Sequence, residues 1–121
     1  MTLDETVSAY CAAWNETDGA ARTALLETSW SDSGVYEDPT ALVAPGRAAL
    51  HAHIAKFHQG YPGAKIVPTS KVDAHHGKIH FTWRLVLPDG TVAIDGRDFG
   101  EIDPTGRIAH IVGFFGPPPP L

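Results

Sequence analysis

The chain has 121 residues, 43% of them hydrophobic and 19% charged, which is ordinary for one soluble globular domain. Its net charge of −5, from 14 acidic and 9 basic residues, argues against a nucleic-acid-binding surface, because such surfaces usually carry a basic stripe. The single cysteine excludes an intrachain disulfide. There is no secretory signal and no run of about 20 apolar residues, so we expect a cytoplasmic protein that does not bind a membrane.

Three helices are predicted in the first half of the chain. Residues 2–15 begin with Thr2 and Glu5, which form a capping-box pattern, and continue with an apolar stripe at helical spacing. That stripe consists of Val7, Tyr10, Cys11 and Trp14. A second helix begins at Asp18, and a third covers residues 47–59 before a run of glycine and proline. The stripe of the third helix consists of Leu50, His53, Ile54 and Phe57.

The second half of the chain has the alternating runs and turn residues that are typical of strands. The predicted strands cover residues 35–37, 65–74, 78–87, 91–102 and 108–116. Residues 31–34 (Ser-Asp-Ser-Gly) predict a turn, and residues 88–90 and 103–106 predict hairpin turns. Three helices followed by an antiparallel meander predict a single α+β domain over residues 1–121, with 117–121 as an extended Pro-rich tail.

Alternation along the last strands predicts which side chains share a face of the sheet. One face of the strand 78–87 carries Phe81, Trp83, Leu85 and Leu87. Both faces of the last strand are apolar, and its second face carries Ile108, His110, Val112 and Phe114. One apolar face must pack on the helices, whereas the other would be exposed in a monomer. We therefore predict a homodimer that forms through the outer face of the sheet.

Three local motifs occur along this order of elements. They are Tyr10-x-Ala12-Ala13-x-Asn15-x-x-Asp18, then Tyr36-Glu37-Asp38-Pro39 followed by Gly46, and Asp98 before the Gly106-Arg107 turn with the closing Phe114-Phe115-Gly116. With these motifs, residues 3–116 resemble the nuclear-transport-factor-2-like superfamily, which includes ketosteroid isomerases and SnoaL-like polyketide cyclases. The resemblance implies a cone-shaped fold in which three N-terminal helices pack on a curved antiparallel sheet around one pocket.

The resemblance to ketosteroid isomerases implies catalytic roles for Tyr10, Asp38 and Asp98. In that reaction a carboxylate removes a proton α to a ketone, and hydrogen-bond donors stabilise the enolate-like oxygen that forms. Asp38 would be the base and proton carrier, and Tyr10 and a protonated Asp98 would be the two donors. This chemistry needs no cofactor, and its substrate would be a small apolar ketone or a polyketide-like molecule.

The orientation of Asp98 decides whether this interpretation can hold. Alternation places Gly96 and Asp98 on one face of their strand, and Asp95 and Arg97 on the other. If the first set faces inward, Asp98 is a buried carboxyl group with a raised pKa. If the second set faces inward, the isomerase interpretation fails.

Side chains from several elements are expected to line the pocket and to contact the substrate. They are Trp14, His53, Phe57, Phe81, Trp83, Ile111 and Phe115. The same residues could instead fill the interior as an ordinary core. His53 stands where the isomerases carry an aromatic residue, so its imidazole would change the polarity of the pocket. The seven histidines lack the spacing of a metal site, and we expect no metal.

Two further interpretations remain open, because a fold alone does not determine a function. The first is aldol cyclisation of the SnoaL-like kind, or epoxide hydrolysis by a related carboxylate site. Epoxide opening in this superfamily typically uses an arginine between two carboxylates, whereas Arg84 and Arg97 are expected on outer faces. The second is a non-catalytic small-molecule-binding or dimerisation domain. It predicts a filled or very small cavity and structural hydrogen bonds to Asp38 or Asp98.

Overall fold

Three helices pack against one face of a seven-stranded sheet in the computed structural model, which describes residues 1–121. The helices are α1 (Leu3–Asn15), α2 (Gly19–Ser29) and α3 (Arg47–Gly60). The strands are β1 (Trp30–Asp38), β2 (Ala41–Leu42), β3 (Lys65–Pro68), β4 (Asp73–His75), β5 (Lys78–Val86), β6 (Val92–Ile102) and β7 (Ile108–Phe115). The predicted α+β class and its three helices are confirmed. None of these helices is long and apolar enough to cross a membrane.

Short polar side chains mark where the first two helices begin. Thr2 and Glu5 form the predicted capping box, in which each side chain accepts a hydrogen bond from the other's backbone N–H at 3.1 Å. Asp18 caps α2 by accepting a hydrogen bond from the N–H of Ala21 at 2.9 Å. The caps satisfy backbone groups that a helix end would otherwise leave unpaired.

The sheet is mixed and not wholly antiparallel. Its strand order is β2-β1-β7-β6-β5-β3, and β4 pairs with another part of β5. Every pair is antiparallel except β1 and β7, which run parallel. The predicted antiparallel meander is therefore correct for β5, β6 and β7 but wrong for β1. A tight hairpin makes neighbouring strands antiparallel, whereas β1 and β7 are far apart in the sequence, so no hairpin fixes their relative direction.

Two stretches of the chain differ from the predicted strand boundaries. The predicted turn at 31–34 is wrong, because this segment belongs to β1. The pairing of β1 with β7 shifts register between Trp30 and Val35, and this irregularity accommodates residues of turn-like composition inside a strand. The predicted strand 65–74 is two strands, β3 and β4. Pro68 ends β3 because it has no N–H with which to continue the ladder.

The inner face of the sheet follows the predicted alternation on β5 and β6. Its buried β5 side chains are Ile79, Phe81, Trp83 and Leu85. On β6, Gly96 and Asp98 are buried, whereas Asp95 and Phe99 are exposed. The inward orientation of Asp98, on which the isomerase interpretation depends, is confirmed.

The last strand departs from simple alternation near its start. On β6, Glu101 and Ile102 are neighbours, but on β7 their partners are His110 and Ile108, so Ala109 is an extra residue. This bulge turns Ile108 inward, where it is fully buried with Ile111. Ile108 therefore belongs to the core and not to the outer face on which strict alternation places it.

Candidate active site

A cavity of about 230 Å³ opens between α1, α3 and the inner face of the sheet, and 11 of its 17 lining residues are hydrophobic. Tyr10, Asp38 and Asp98 all line this cavity. Five of the seven residues expected to contact a substrate also line it: Trp14, His53, Phe57, Trp83 and Phe115. The other two, Phe81 and Ile111, lie in the core and outside the cavity lining.

The two aspartates lie on either side of a glycine in the sheet. Asp98 on β6 pairs directly with Gly113 on β7, and the pairing of β1 with β7 brings Asp38 to the other side of Gly113. A Cβ atom at Gly113 would lie 3.1 Å from Asp98 Oδ1 and 3.3 Å from Asp38 Cβ. A side chain at this position would crowd both aspartates, so the glycine lets two acidic groups share one end of the cavity.

Asp38 is held by three hydrogen bonds at the end of β1. The Tyr36 hydroxyl donates to Asp38 Oδ2 at 2.6 Å. The backbone N–H and the hydroxyl of Thr40 both donate to Asp38 Oδ1 at 2.7 Å. Each carboxylate oxygen can accept more than one hydrogen bond, so these contacts orient Asp38 and still leave it able to take up a proton.

Asp98 lies in very different surroundings, because it is only 5% exposed and its Oδ1 has no hydrogen-bond partner. The pKa of Asp98 is raised to about 7, because burial and the negative charge of Asp38 raise it more than the nearby indole N–H of Trp83 lowers it. This agrees with the raised pKa that an inward orientation predicts. At neutral pH a carboxyl group with this pKa is protonated in roughly half of the molecules.

Tyr10 is packed between two aromatic rings on the α1 side of the cavity. Its ring stacks on Trp30 at a centroid distance of 5.5 Å and meets the edge of Phe81 at 6.4 Å. Its hydroxyl is buried and has no hydrogen-bond partner. Burial raises the pKa of Tyr10 well above its ordinary value, and the charge of Asp98 adds to this effect. The hydroxyl therefore keeps its proton and can act as a donor.

His53 brings a polar ring into an otherwise aromatic part of the lining. The centroid of its ring lies 5.8 Å from the ring centroid of Trp14 and 5.5 Å from that of Tyr36. Burial lowers the pKa of His53, and the nearby carboxylate of Asp38 opposes this shift. The imidazole is therefore mostly neutral at neutral pH.

No arginine lines the cavity. On the outer face, Arg84 forms an exposed ion pair with Asp95 at 2.8 Å. The Arg97 guanidinium lies over the ring of Phe114, and its Nε donates to the carbonyl of Gly116 at 3.1 Å. Both arginines are thus on the outer face, as alternation predicts. No group of three or more His, Cys, Asp or Glu side chains lies close enough together to hold a metal ion.

Tyr36 is a functional candidate that the sequence analysis leaves without a role. It is 5% exposed, lines the cavity and holds Asp38 through its hydroxyl. Burial raises the pKa of Tyr36, and its hydrogen bond to Asp38 raises it further, so it remains a donor. The spacing of Tyr36 and Asp38 could have predicted their contact, because residues i and i+2 of a strand face the same side.

The sequence model of the SnoaL-like domain family matches residues 7–111. The chain belongs to the SnoaL-like family. A similar solved structure is an isomerase candidate of the SnoaL-like family from Agrobacterium tumefaciens, which is 33% identical with a TM-score of 0.88. The match covers 97% of this chain and 100% of that one. No curated protein is similar enough to this chain to count as a relative.

More distant structures support the nuclear-transport-factor-2-like fold of this SnoaL-like chain. A protein from Catenulispora acidiphila with a ketosteroid isomerase-like fold, in complex with trimethylamine, is 17% identical with a TM-score of 0.73. That match covers 95% of this chain and 88% of that one. SalBIII, an epoxide hydrolase/cyclase-like enzyme with a role in pyran ring formation in the polyether salinomycin, is 21% identical to this chain with a TM-score of 0.69. Here the match covers 94% of this chain and 90% of that one.

Proposed function

We propose that this SnoaL-like protein is a ketosteroid isomerase-like enzyme that transfers a proton within a small apolar ketone or polyketide-like substrate without a cofactor. The observation that carries the proposal is the meeting of Asp38, Asp98 and Tyr10 at one apolar cavity. Two of these groups, Tyr10 and Asp98, are buried polar groups with atoms that lack a partner. Such groups are costly unless a ligand or a reaction uses them.

Each step of the reaction has a candidate group in the cavity. The Asp38 carboxylate takes a proton from the carbon α to the ketone, and the C–H electron pair forms the enolate. Tyr10 and protonated Asp98 donate hydrogen bonds to the enolate oxygen. The Asp38 carboxylic acid then returns the proton to the γ carbon. The double bond moves into conjugation with the ketone, Asp38 regains its carboxylate form, and Asp98 keeps its proton throughout.

The size of the cavity restricts the substrate class. An enclosed cavity of about 150 Å³ in another protein holds benzene. A cavity of about 230 Å³ is therefore suited to a ligand of one or two rings. A tetracyclic steroid would have to extend through the mouth into solvent, so we propose a monocyclic or bicyclic ketone.

A related reaction, aldol cyclisation, would use the same carbon acid chemistry and the same donors. Membership of the SnoaL-like family makes this a second candidate. Epoxide hydrolysis is less well supported, because no arginine lies between Asp38 and Asp98. In a cyclisation the enolate carbon would instead attack a second carbonyl of the same substrate, and the alkoxide that forms would take the proton held by Asp38, which regenerates the carboxylate.

A non-catalytic binding domain is the rival of a different class, and one observation favours it. Both oxygens of Asp38 already accept hydrogen bonds from the protein, as expected of a structural aspartate. The cavity and the unpartnered hydroxyl of Tyr10 argue against a purely structural core, which would fill the one and pair the other, and the two carboxyl groups at the cavity favour an enzyme over a binding domain.

The deciding experiment follows the isomerisation of a monocyclic β,γ-unsaturated ketone to its conjugated product by ultraviolet absorbance. We expect Asp38→Asn to lower kcat/KM by about 100- to 10,000-fold, the usual contribution of a general base. Asp32→Asn, which changes an exposed aspartate of the same strand, is the matched control and should retain full activity. Equal rates in wild type and Asp38→Asn would remove the isomerase proposal and leave the binding domain.

We also propose that the protein forms a homodimer through the outer face of its sheet. Phe99 and Phe114 are 40% and 46% exposed there, and their ring centroids lie 5.9 Å apart. His80 stacks on Phe99 at 4.4 Å and extends this aromatic surface. A continuous aromatic patch of this kind on a sheet is typical of an interaction surface.

A further inference from the structure

The indole rings of two tryptophans of this fold lie directly against glycines. The indole of Trp83 on β5 lies over Gly96 on β6, and a Cβ atom at Gly96 would overlap its Cε2 and Cζ2 atoms. The indole of Trp30 covers Gly34 in the same manner. In both pairs the Nε1 atom is buried and has no hydrogen-bond partner. A buried donor without a partner is costly, so each indole N–H calls for an explanation.

The position of Trp83 brings its indole N–H to the deep carboxyl group of the site. Trp83 pairs with Gly96 across the sheet, and Asp98 is the next inward residue along β6. Because the indole lies across Gly96, the side chains of Trp83 and Asp98 are diagonal neighbours on one face. Trp83 Nε1 and Asp98 Oδ1 are both buried and lack a partner in hydrogen-bond geometry, although the indole N–H lies close enough to lower the pKa of Asp98.

We propose that Trp83 is a positioning residue for Asp98, and that its indole N–H turns to the Asp98 carboxylate when that group loses its proton. Gly96 is also required for this arrangement, because only a residue without a side chain leaves room for the indole. The indole N–H would thereby set the pH above which Asp98 is ionised and no longer donates a hydrogen bond into the cavity. The importance of that donor rests on the proposed function, whereas the test of the Trp83–Asp98 contact does not.

No titratable group that faces Asp98 carries a positive charge that could stabilise its carboxylate. Asp38 on β1 is an acid, and its charge opposes ionisation of Asp98. Tyr10 and Cys11 on α1 and Tyr36 on β1 interact with Asp98 electrostatically, and burial raises the pKa of each, so they stay neutral. No lysine, arginine or histidine is among the groups that shift the pKa of Asp98.

The direction in which the pKa of Asp98 changes when the Trp83 indole is removed distinguishes a positioning role of Trp83 from a packing role. An N–H group that bonds the carboxylate favours the charged form, so its removal should raise the pKa of Asp98 above its value of about 7. If Trp83 only fills space, its truncation would admit water beside Asp98 and lower the pKa instead, because burial is the main cause of the raised value.

The test is a titration of the Asp98 carboxyl carbon by NMR in protein with 13C-labelled aspartate, with its resonance assigned from Asp98→Asn. We expect Trp83→Phe to move the midpoint upward by about half a pH unit or more. Trp30→Phe is the matched control, because it removes the other unpaired indole N–H, and it should leave the midpoint unchanged. An unchanged or lower midpoint in Trp83→Phe, or equal shifts in both variants, would overturn the proposal.

A second measurement uses the wild-type protein, so it remains available if Trp83→Phe does not fold. The indole N–H resonance of Trp83 should move with pH at the same midpoint as the Asp98 carboxyl carbon, and that of Trp30 should not. Asp98→Asn should abolish the movement. A Trp83 indole signal that stays constant through the titration of Asp98 would overturn the proposal even if the protein proves to be a non-catalytic binding domain.

Discussion

The two carboxyl groups of the cavity differ in almost every respect except residue type. At the rim, Asp38 accepts three hydrogen bonds from Tyr36 and Thr40. In the interior, Asp98 is 5% exposed, and its Oδ1 has no partner. Only Gly113 separates the two, so the difference arises from burial and hydrogen bonding. One carboxyl group is thereby suited to accept a proton and the other to keep one.

The largest effect that would sharpen this comparison is the pH dependence of stability due to Asp98. Its pKa is raised to about 7 in the folded protein, so folding favours its protonated form. This contribution is fully present below about pH 4 and is lost as pH rises to about 7. The loss amounts to about 4 kcal/mol in the free energy of unfolding.

Asp98→Asn should remove this dependence, because the amide does not titrate. Urea unfolding of wild type and variant at several pH values between 4 and about 8 measures the difference between the two proteins. The wild type should lose stability relative to the variant as pH rises. Parallel curves for the two proteins would mean that Asp98 does not titrate as a buried group.

A smaller effect is expected at Gly113, which lies between the two carboxyl groups. Gly113→Ala places a methyl group 3.1 Å from Asp98 Oδ1 and 3.3 Å from Asp38 Cβ. We expect a loss of about 1–3 kcal/mol in the free energy of unfolding, as for other overpacked sites. Gly19→Ala, where the nearest atom to the new Cβ would be 4.0 Å away, is the control and should be close to neutral. Similar losses in both variants would show that Gly113 has no special spatial role.

Loss of a single hydrogen bond at the rim should have a weaker effect on stability. Tyr36→Phe removes the hydroxyl that donates to Asp38 at 2.6 Å and should cost about 1 kcal/mol in the free energy of unfolding. Because Asp38 is then less well oriented, kcat should fall by about 10- to 100-fold. Tyr61→Phe removes a hydroxyl at the exposed part of the cavity lining and serves as the control. Equal kcat values for Tyr36→Phe and wild type would remove Tyr36 from the site.

The least costly change for the fold lies on the outer face, away from both carboxyl groups. Phe114→Glu places a charge on the exposed aromatic patch, where Phe114 is 46% exposed, and should change monomer stability by about 0.5 kcal/mol or less. Sedimentation velocity should then show a monomer for the variant and a dimer for the wild type. A wild-type protein that sediments as a monomer would contradict the proposed dimer.

The sequence predicted the elements whose local patterns are strong. The capping box of Thr2 and Glu5 and the apolar stripe through Tyr10 and Trp14 placed α1 correctly. The period-two alternation of β5 and β6 oriented Trp83 and Asp98 correctly. These signals succeed because they depend only on residues that are neighbours along one element.

The remaining features depend on contacts between distant parts of the chain. The parallel pairing of β1 with β7 and the bulge at Ala109 are fixed by packing and not by any local turn signal. Whether Phe81 fills the core or lines a cavity depends on how closely α1 approaches the sheet. The contact of the Trp83 indole with Gly96 likewise depends on the pairing of two strands, and the sequence of either strand alone does not predict it.

The most direct test of the central claim is hydrogen exchange at the α carbon of a cyclic ketone in D2O, followed by proton NMR. Asp38 is partly exposed, so a proton that it removes can exchange with D2O before it returns to carbon, and the assay covers isomerisation and aldol cyclisation alike. Our account predicts exchange well above the buffer rate with wild type and exchange at the buffer rate with Asp38→Asn. Exchange at the buffer rate with both proteins would contradict the assignment of Asp38 as a base.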